Sequence, residues 1–297
     1  MRTSFLIPAY NEAATIGELL DRVHALDLDK QVVVVDDGST DATPQILEPW
    51  ERQRGVVVVR QRNRGKGAAI RAAIPLIDGD IAVIQDADLE YDPADVPDLI
   101  EPIERGVADV VFGSRLSGGR PQRAYMFWHL VGNRLLSLMT NVLFNTTLTD
   151  METGYKAFRA DVLRSLVLRE DDFGIEPEIT GQVCKRKLRI YELPIAYFGR
   201  TYAEGKKISW RDGAKAVRVL LRVRTQRSDG PGALRFKGAR GRARLPIGSS
   251  RTAVNGTGFA ANRPHHTAVE MEDAFGRGMQ APNEASMRAV ELQSYPS

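Results

Sequence analysis

The sequence has a single cysteine, Cys184, so no internal disulfide can staple the fold, and a reducing compartment suits it. No run of eighteen apolar residues occurs, so a transmembrane helix is not expected and any membrane contact is expected to be peripheral. Strand-like residues begin at Ser4, and no leader peptide is expected ahead of them. Histidine is scarce; the one adjacent pair, His265-His266, lies in a stretch without periodicity and reads as incidental. Between Arg200 and Arg251, fifteen Lys or Arg face three Asp or Glu, but aromatics are not interleaved with them as base stacking requires, so nucleic-acid binding is not expected.

What is present is ordinary in amount and uneven in placement. A hydrophobic fraction of 43% and a charged fraction of 27% suit a globular chain, and 297 residues can build one large α/β domain or two small ones. The basic stretch after Arg200 leaves the rest of a +3 chain strongly acidic. A basic segment on an acidic domain points to an anionic surface or ligand, such as acidic lipid head groups or phosphates; a solvated tail with no partner is the plainer reading.

The first half alternates apolar runs with helical patterns. Ser4–Ile7, Gln31–Val35, Val56–Val59, Ile81–Ile84 and Asp109–Phe112 read as strands; Ala14–Leu26, the stretch from Thr43-Pro44, Gly67–Ile77 and Asp95–Arg105 read as helices. Val and Ile runs without polar alternation belong to strands covered on both faces. The expected fold is therefore α/β, an open, mostly parallel sheet flanked by helices, which binds ligands beyond the carboxyl ends of its strands. Polar clusters stand at those ends: Pro8-Ala9-Tyr10-Asn11-Glu12, Asp36-Asp37-Gly38, Arg62-Asn63-Arg64-Gly65-Lys66-Gly67, Asp86-Ala87-Asp88 and Gly113-Ser114-Arg115. After the fourth strand, Asp86, Asp88 and Glu90 occupy alternate positions, so a continuing strand would aim all three carboxylates at one side. A divalent cation held by oxygen ligands would relieve their repulsion; the other reading is an acidic loop capping the helix that Asp92-Pro93 begins.

Further along, Tyr125–Asn145 is a long apolar helical pattern, read either as a buried helix or as one lying on a bilayer interface, where Trp and Phe are favoured. A polar loop over Thr149–Lys156 precedes helices at Asp161–Leu168 and from Phe173 to Lys187. Ile190–Phe198 reads as an edge strand, since Pro194 is acceptable only there. Trp210–Arg224 is a basic amphipathic helix, and 228–297 reads as a low-complexity basic tail, disordered in expectation.

The clusters, in this order and at these spacings, resemble the family 2 glycosyltransferases of GT-A fold, and within them the branch of dolichol-phosphate mannosyltransferase and the bacterial polyprenyl-phosphate sugar transferases. The likeness runs from Ile7 to about Gly213, carried by the five rim clusters and by Asp150-Met151-Glu152-Thr153-Gly154-Tyr155-Lys156. It implies a catalytic domain over 1–227 that binds a nucleotide-sugar donor of GDP-mannose or UDP-glucose type, with Pro8, Tyr10 and Glu12 lining the nucleotide pocket and Asp36 or Asp37 accepting from base or ribose. Asp86 and Asp88 would hold Mg²⁺ or Mn²⁺ against the diphosphate, and Glu90 stands where the branch often has a third ligand of Gln type. Gly65-Lys66-Gly67 lacks the spacing of a phosphate loop; its glycines read as a tight helix approach, with Lys66 a candidate nucleotide contact. Arg115 would meet phosphate, with Arg123, Arg134, Lys206 and Lys207 as further phosphate or acceptor contacts. Asp88, Asp150 and Arg115 form the implied catalytic set.

The acceptor divides the readings. A hydroxyl needs a general base within reach, whereas a lipid phosphate is already anionic and needs only positioning. The motif at Asp150–Lys156 resembles the lipid-phosphate branch; a hydroxyl acceptor, with Glu176 or Asp150 as base, is the alternative. The basic helix over Trp210–Arg224 is expected to hold the protein at the cytoplasmic face of the membrane against anionic lipid. No separate protein partner is inferable.

Overall fold

A computed structural model of the chain describes residues 1–124, 126–200 and 210–226. The apolar runs form β1 (Thr3–Ala9), β2 (Lys30–Asp36), β3 (Val57–Arg60), β4 (Ile81–Ile84) and β5 (Val110–Ser114), joined by β6 (Lys156–Arg159) and β7 (Ile190–Pro194) in one sheet of order β3-β2-β1-β4-β6-β5-β7. β1 pairs in parallel with β2 and β4, β2 with β3, and β5 with β7. β6 runs antiparallel to both β4 and β5, which leaves those two pointing the same way. The carboxyl ends of β1 to β5 therefore share one rim. Strand order reverses between β1 and β4, where the loops leaving the two strands part and open a crevice.

Period-two alternation divides the core between the two faces of the sheet. Phe5 and Ile7 of β1 pack with α1 (Ile16–Ala25), α2 (Thr43–Arg54) and α4 (Val96–Glu104). Leu6 faces the other way, toward α3 (Lys66–Ala73), α6 (Ala160–Ser165) and α7 (Ile175–Lys185). Each fully buried Leu, Ile or Phe contributes about 2 kcal/mol. These two layers hold the rim in place.

Three elements depart from the sequence expectation. β6 was not foreseen: its first residue, Lys156, reads as the end of a polar loop, yet it is fully buried in the middle of the sheet. The helix expected over Asp161–Leu168 is α6, one and a half turns long and stopped where Leu166 turns extended. The long apolar helix, α5 (Phe127–Phe144), is not a buried helix: Trp128, Val131, Leu135, Leu138 and Val142 are exposed, Trp128 at 78% and Val142 at 75%. Their spacing places them on one stripe. No described helix is long and apolar enough to cross a membrane.

The basic helix is α8 (Trp210–Thr225), which packs Ala216, Val219, Leu220 and Val223 inward beside α7. Two of its cations are committed within the protein. Lys215 pairs with Asp172 at 2.6 Å and Glu170 at 2.9 Å, and Arg222 pairs with Glu170 at 2.7 Å and Glu178 at 2.8 Å. The tail expected over 228–297 lies outside the described residues.

Candidate active site

On the β1–β3 side of the rim, acids and amides stitch loops together. Asn11, held at a left-handed φ of 54°, donates its N–H to Ser39 Oγ at 3.0 Å and accepts from Thr40 N at 2.8 Å, tying the end of β1 to the end of β2. Asp36 accepts from Ser39 N at 2.9 Å. Asp37 accepts from Gln61 Nε2 at 2.6 Å, Arg64 N at 3.0 Å and Gly65 N at 2.7 Å, so both its oxygens hold the loop between β3 and α3. Pro8 and Tyr10 are half-buried at the end of β1 and Glu12 is buried beyond it. The glycines flanking Lys66 do allow a tight approach, but of the Glu170–Asp172 segment: a Cβ on Gly65 or Gly67 would collide with its main chain.

On the β4 side, side-chain cations hold the acids. Lys66, the first residue of α3, reaches Asp86 Oδ1 at 2.7 Å and Glu176 Oε1 at 3.0 Å. Glu176 also pairs with the buried Lys156 at 2.5 Å, whose ammonium lies 4.9 Å from the centre of the Phe112 ring. Burial works against the Lys66 charge, but Asp86 and Glu176 override it and raise its pKa. Burial raises the Asp86 carboxyl above its usual range, with Lys66 pulling it down and the charges of Asp88 and Glu176 adding to the rise. Gly154 makes room for this pair, since a Cβ there would strike both Asp86 and Lys66.

The alternating acids divide: Asp86 meets Lys66, whereas Asp88 and Glu90 share Arg200. β4 ends at Ile84, and Leu89 takes a left-handed φ of 59°, which breaks the period-two alternation. Asp86 turns to Lys66, while Asp88 accepts from Arg200 Nη2 at 2.9 Å and Glu90 accepts from Tyr197 Oη and Arg200 N, each at 2.8 Å. Among the described residues no three His, Cys, Asp or Glu side chains form a metal cage; Glu90 is tied to the segment after β7, and Asp86 and Asp88 remain the candidate pair. The pair still fits a hard divalent cation: Mg²⁺ is held by one or two carboxylates completed by substrate phosphates rather than by an all-protein cage. A cation of the protein already stands beside each of the two.

The third part of the site is the loop before β6. Arg115 grips Asp150 with two nitrogens, Nε to Oδ2 at 2.6 Å and Nη2 to Oδ1 at 2.8 Å, and its main-chain N adds a third bond at 3.0 Å. Asn133 of α5 donates to Asp150 Oδ1 at 2.9 Å. Burial would raise the Asp150 carboxyl, but Arg115 and Asn133 hold it below the usual carboxylate range. Glu176 behaves alike, burial outweighed by Lys156 and Lys66. Neither is a ready base. Glu152 differs: burial, with Glu176 adding to it, pushes its carboxyl up to about 7, and its Oε1 is buried without a hydrogen-bond partner. Tyr91 fastens the loop to the β4 side, accepting from Gly154 N at 3.0 Å and stacking on Tyr155.

The remaining sequence candidates scatter. Arg123 is exposed and donates to the Gly199 carbonyl at 3.0 Å. Arg134 is exposed on α5, lining a groove with Leu116, Leu138, Leu148 and Thr149. Lys206 and Lys207 lie outside the described residues. Four residues escaped the sequence reading: Arg200, Lys156 and Asn133, which bind distant acids, and Glu152, which stood inside a quoted motif but was given no role. A carboxylate between Asp150 and Lys156 was the one visible signal.

A helix-flanked, mostly parallel sheet with acids gathered at the strand-order reversal is a GT-A-like α/β architecture. Residues 4–167 match the profile of the family described as glycosyl transferase family 2, and the chain belongs to that family. The undecaprenyl-phosphate mannosyltransferase of Micrococcus luteus is 31% identical over 233 residues, covering 74% of this chain and 93% of that protein. The dolichol-phosphate mannosyltransferase of Pyrococcus furiosus is 30% identical over 211 residues, covering 69% of this chain and 59% of that protein. The chain spans 52% of the length of a low-salt glycan biosynthesis hexosyltransferase of Haloferax volcanii, at 31% identity over 73% of itself. Among solved structures, glucosyl-3-phosphoglycerate synthase of Mycobacterium tuberculosis superposes with a TM-score of 0.60 at 22% identity, covering 77% of this chain and 81% of that one, a likeness of fold.

Proposed function

We propose that the chain is a divalent-metal-dependent, inverting hexosyltransferase that moves a hexose from a nucleotide-sugar donor, of GDP-mannose or UDP-glucose type, to a polyprenyl phosphate. It works peripherally at the cytoplasmic face of the membrane. One observation carries the acceptor class: the groove at Arg134 sets a cation among Leu116, Leu138 and Leu148, on the helix whose exposed apolar stripe includes Leu138. A phosphate on a long apolar chain needs that pairing of charge and grease. The names of the relatives from Micrococcus luteus and Pyrococcus furiosus support the same class. The exposed stripe of α5, more than the committed cations of α8, is the surface suited to lipid.

A bound Mg²⁺ or Mn²⁺ would neutralise the charge that develops on the diphosphate leaving group. Asp86 and Asp88 would hold it, Lys66 keeping Asp86 in place. Pro8, Tyr10, Glu12, Asp36 and Asp37 shape the nucleotide side of the crevice. Asp150 orients Arg115, whose Nη1 is the nitrogen left over from that pair, toward phosphate. An oxygen of the lipid phosphate attacks the anomeric carbon, the bond to the diphosphate breaks on the opposite side, and no proton has to move.

A hydroxyl acceptor is the second reading, and Glu152 favours it: a carboxyl that titrates near 7 is matched to general-base work at neutral pH. Donor binding is tested first by thermal unfolding with GDP-mannose or UDP-glucose in the presence of Mn²⁺. A ligand at a hundred times its Kd should raise Tm by about 5 °C or more, and Asp88→Asn should lose the Mn²⁺-dependent part. No rise with any nucleotide sugar would contradict the reading.

A further inference from the structure

Three carboxylates close on one guanidinium. Arg200 donates from Nη2 to Asp88 Oδ2 at 2.9 Å and from Nη1 to Glu12 Oε2 at 3.2 Å, while its main-chain N holds Glu90 Oε1 at 2.8 Å. Glu12 follows β1 and Asp88 follows β4, so the guanidinium bridges the crevice at the reversal of strand order. Its Nε is buried without a hydrogen-bond partner, 3.6 Å from Glu90 Oε1. Arg–carboxylate pairs are frequently bidentate, as in Arg115 on Asp150 through Nε and Nη2. Arg200 instead sets both terminal nitrogens on Glu12, Nη1 at 3.2 Å and Nη2 at 3.4 Å, while Nη2 also bonds Asp88, so one fork is shared between acids from separate loops. Arg115 serves one carboxylate; Arg200 shares its fork between two.

The inference rests on the reading of Asp86 and Asp88 as the metal pair. A guanidinium bonded to Asp88 and a divalent cation bonded to the same carboxylate compete, since each answers the same cluster of negative charge. We propose that Arg200 is a built-in counter-ion: it occupies Asp88 and Glu12 while the donor site is empty, and metal binding requires it to leave Asp88. Empty, the site then keeps its buried acids neutralised without a metal. Filled, it frees a guanidinium at the mouth of the crevice, where its planar fork suits phosphate oxygens. The affinity for metal alone is lowered by the fraction of time the arginine occupies the site.

The test is binding of Mn²⁺ alone to the full chain, with free Mn²⁺ followed by electron paramagnetic resonance at fixed ionic strength. Arg200→Ala should bind Mn²⁺ about tenfold tighter than the wild type, because the competing state is gone, and Arg200→Lys should stay within about threefold of it. Circular dichroism checks that each variant is folded; Arg200→Met, which keeps the apolar stem, replaces the alanine variant if that one does not fold. Equal or weaker Mn²⁺ binding by a folded Arg200→Ala or Arg200→Met overturns the counter-ion role and leaves the metal pair standing. Failure of Mn²⁺ to bind any of the proteins overturns the metal pair itself, and the counter-ion with it.

Discussion

Asp37 and Asp88 are both shielded acids just beyond parallel strands on one rim, yet they are held in opposite ways. Asp37 takes its bonds from two main-chain N–H groups and an amide of the loop after β3. Those donors cannot leave without undoing the loop. Asp88 takes a turn-closing bond from Glu90 N and a charged one from the tip of Arg200, 112 residues further along the chain. That tip is shared with Glu12, and its bonds to both acids run between side chains. Asp37 thus builds the rim through main-chain donors, whereas Asp88, in the proposed account, exchanges a side-chain cation for a ligand.

The sharpest break of the comparison is functional. Asp88→Asn should cut hexose transfer about 100-fold or more while leaving a folded protein, measured as initial rate beside circular dichroism, because it removes charge from a proposed metal ligand. Asp37→Ala should act first on stability, costing about 3 kcal/mol in urea unfolding as buried donors lose their acceptor. If Asp37→Ala kept full stability and lost activity, the division would fail. Glu152 sharpens the comparison as an acid whose Oε1 has no hydrogen-bond partner. Its folded pKa of about 7 lies above the usual 4.5, so the stability it supports in protonated form is present below pH 4.5 and lost as pH rises through about 7. Glu152→Gln should therefore raise Tm at pH 8 and barely change it at pH 5; an equal effect at both would contradict the assignment. If Glu152 is a base, the same variant loses transfer at every pH. If the acceptor is a phosphate, it does not.

The smallest effect extends the contrast to the two helices. Lys215 and Arg222 of α8 are committed to Glu170, Asp172 and Glu178, whereas the apolar stripe on α5 is exposed. Leu135→Glu with Leu138→Glu should abolish most co-sedimentation with anionic vesicles, while Lys215→Ala should lower it by about twofold or less. The opposite ranking would return the membrane contact to α8.

Most of the architecture was legible because it is local. Unbroken Val and Ile runs mark β1 to β5, and the glycines and acids that follow them mark the rim. β6 was not, since four residues beginning with a lysine carry no periodic signal and its burial depends on Glu176 and Phe112. The pairing of Arg200 with Glu12 and Asp88, and of Lys215 with Asp172, joins residues far apart in the chain, and no spacing rule reports it. The alternation of Asp86, Asp88 and Glu90 was visible but its partners were not: Leu89, at a left-handed φ, ends the alternation, and Arg200 joins Asp88 to Glu90. The stripe on α5 read equally well as core or interface, and its exposure argues only against the core reading.

The most direct measurement offers labelled nucleotide sugar and Mn²⁺ to the protein with polyprenyl phosphate in one vessel and polyprenol, its dephosphorylated counterpart, in another, and follows label into the organic phase. The account predicts transfer to the phosphate, its loss on chelation of the metal, and none to the alcohol. Label carried by polyprenol, or transfer that survives chelation, would contradict it.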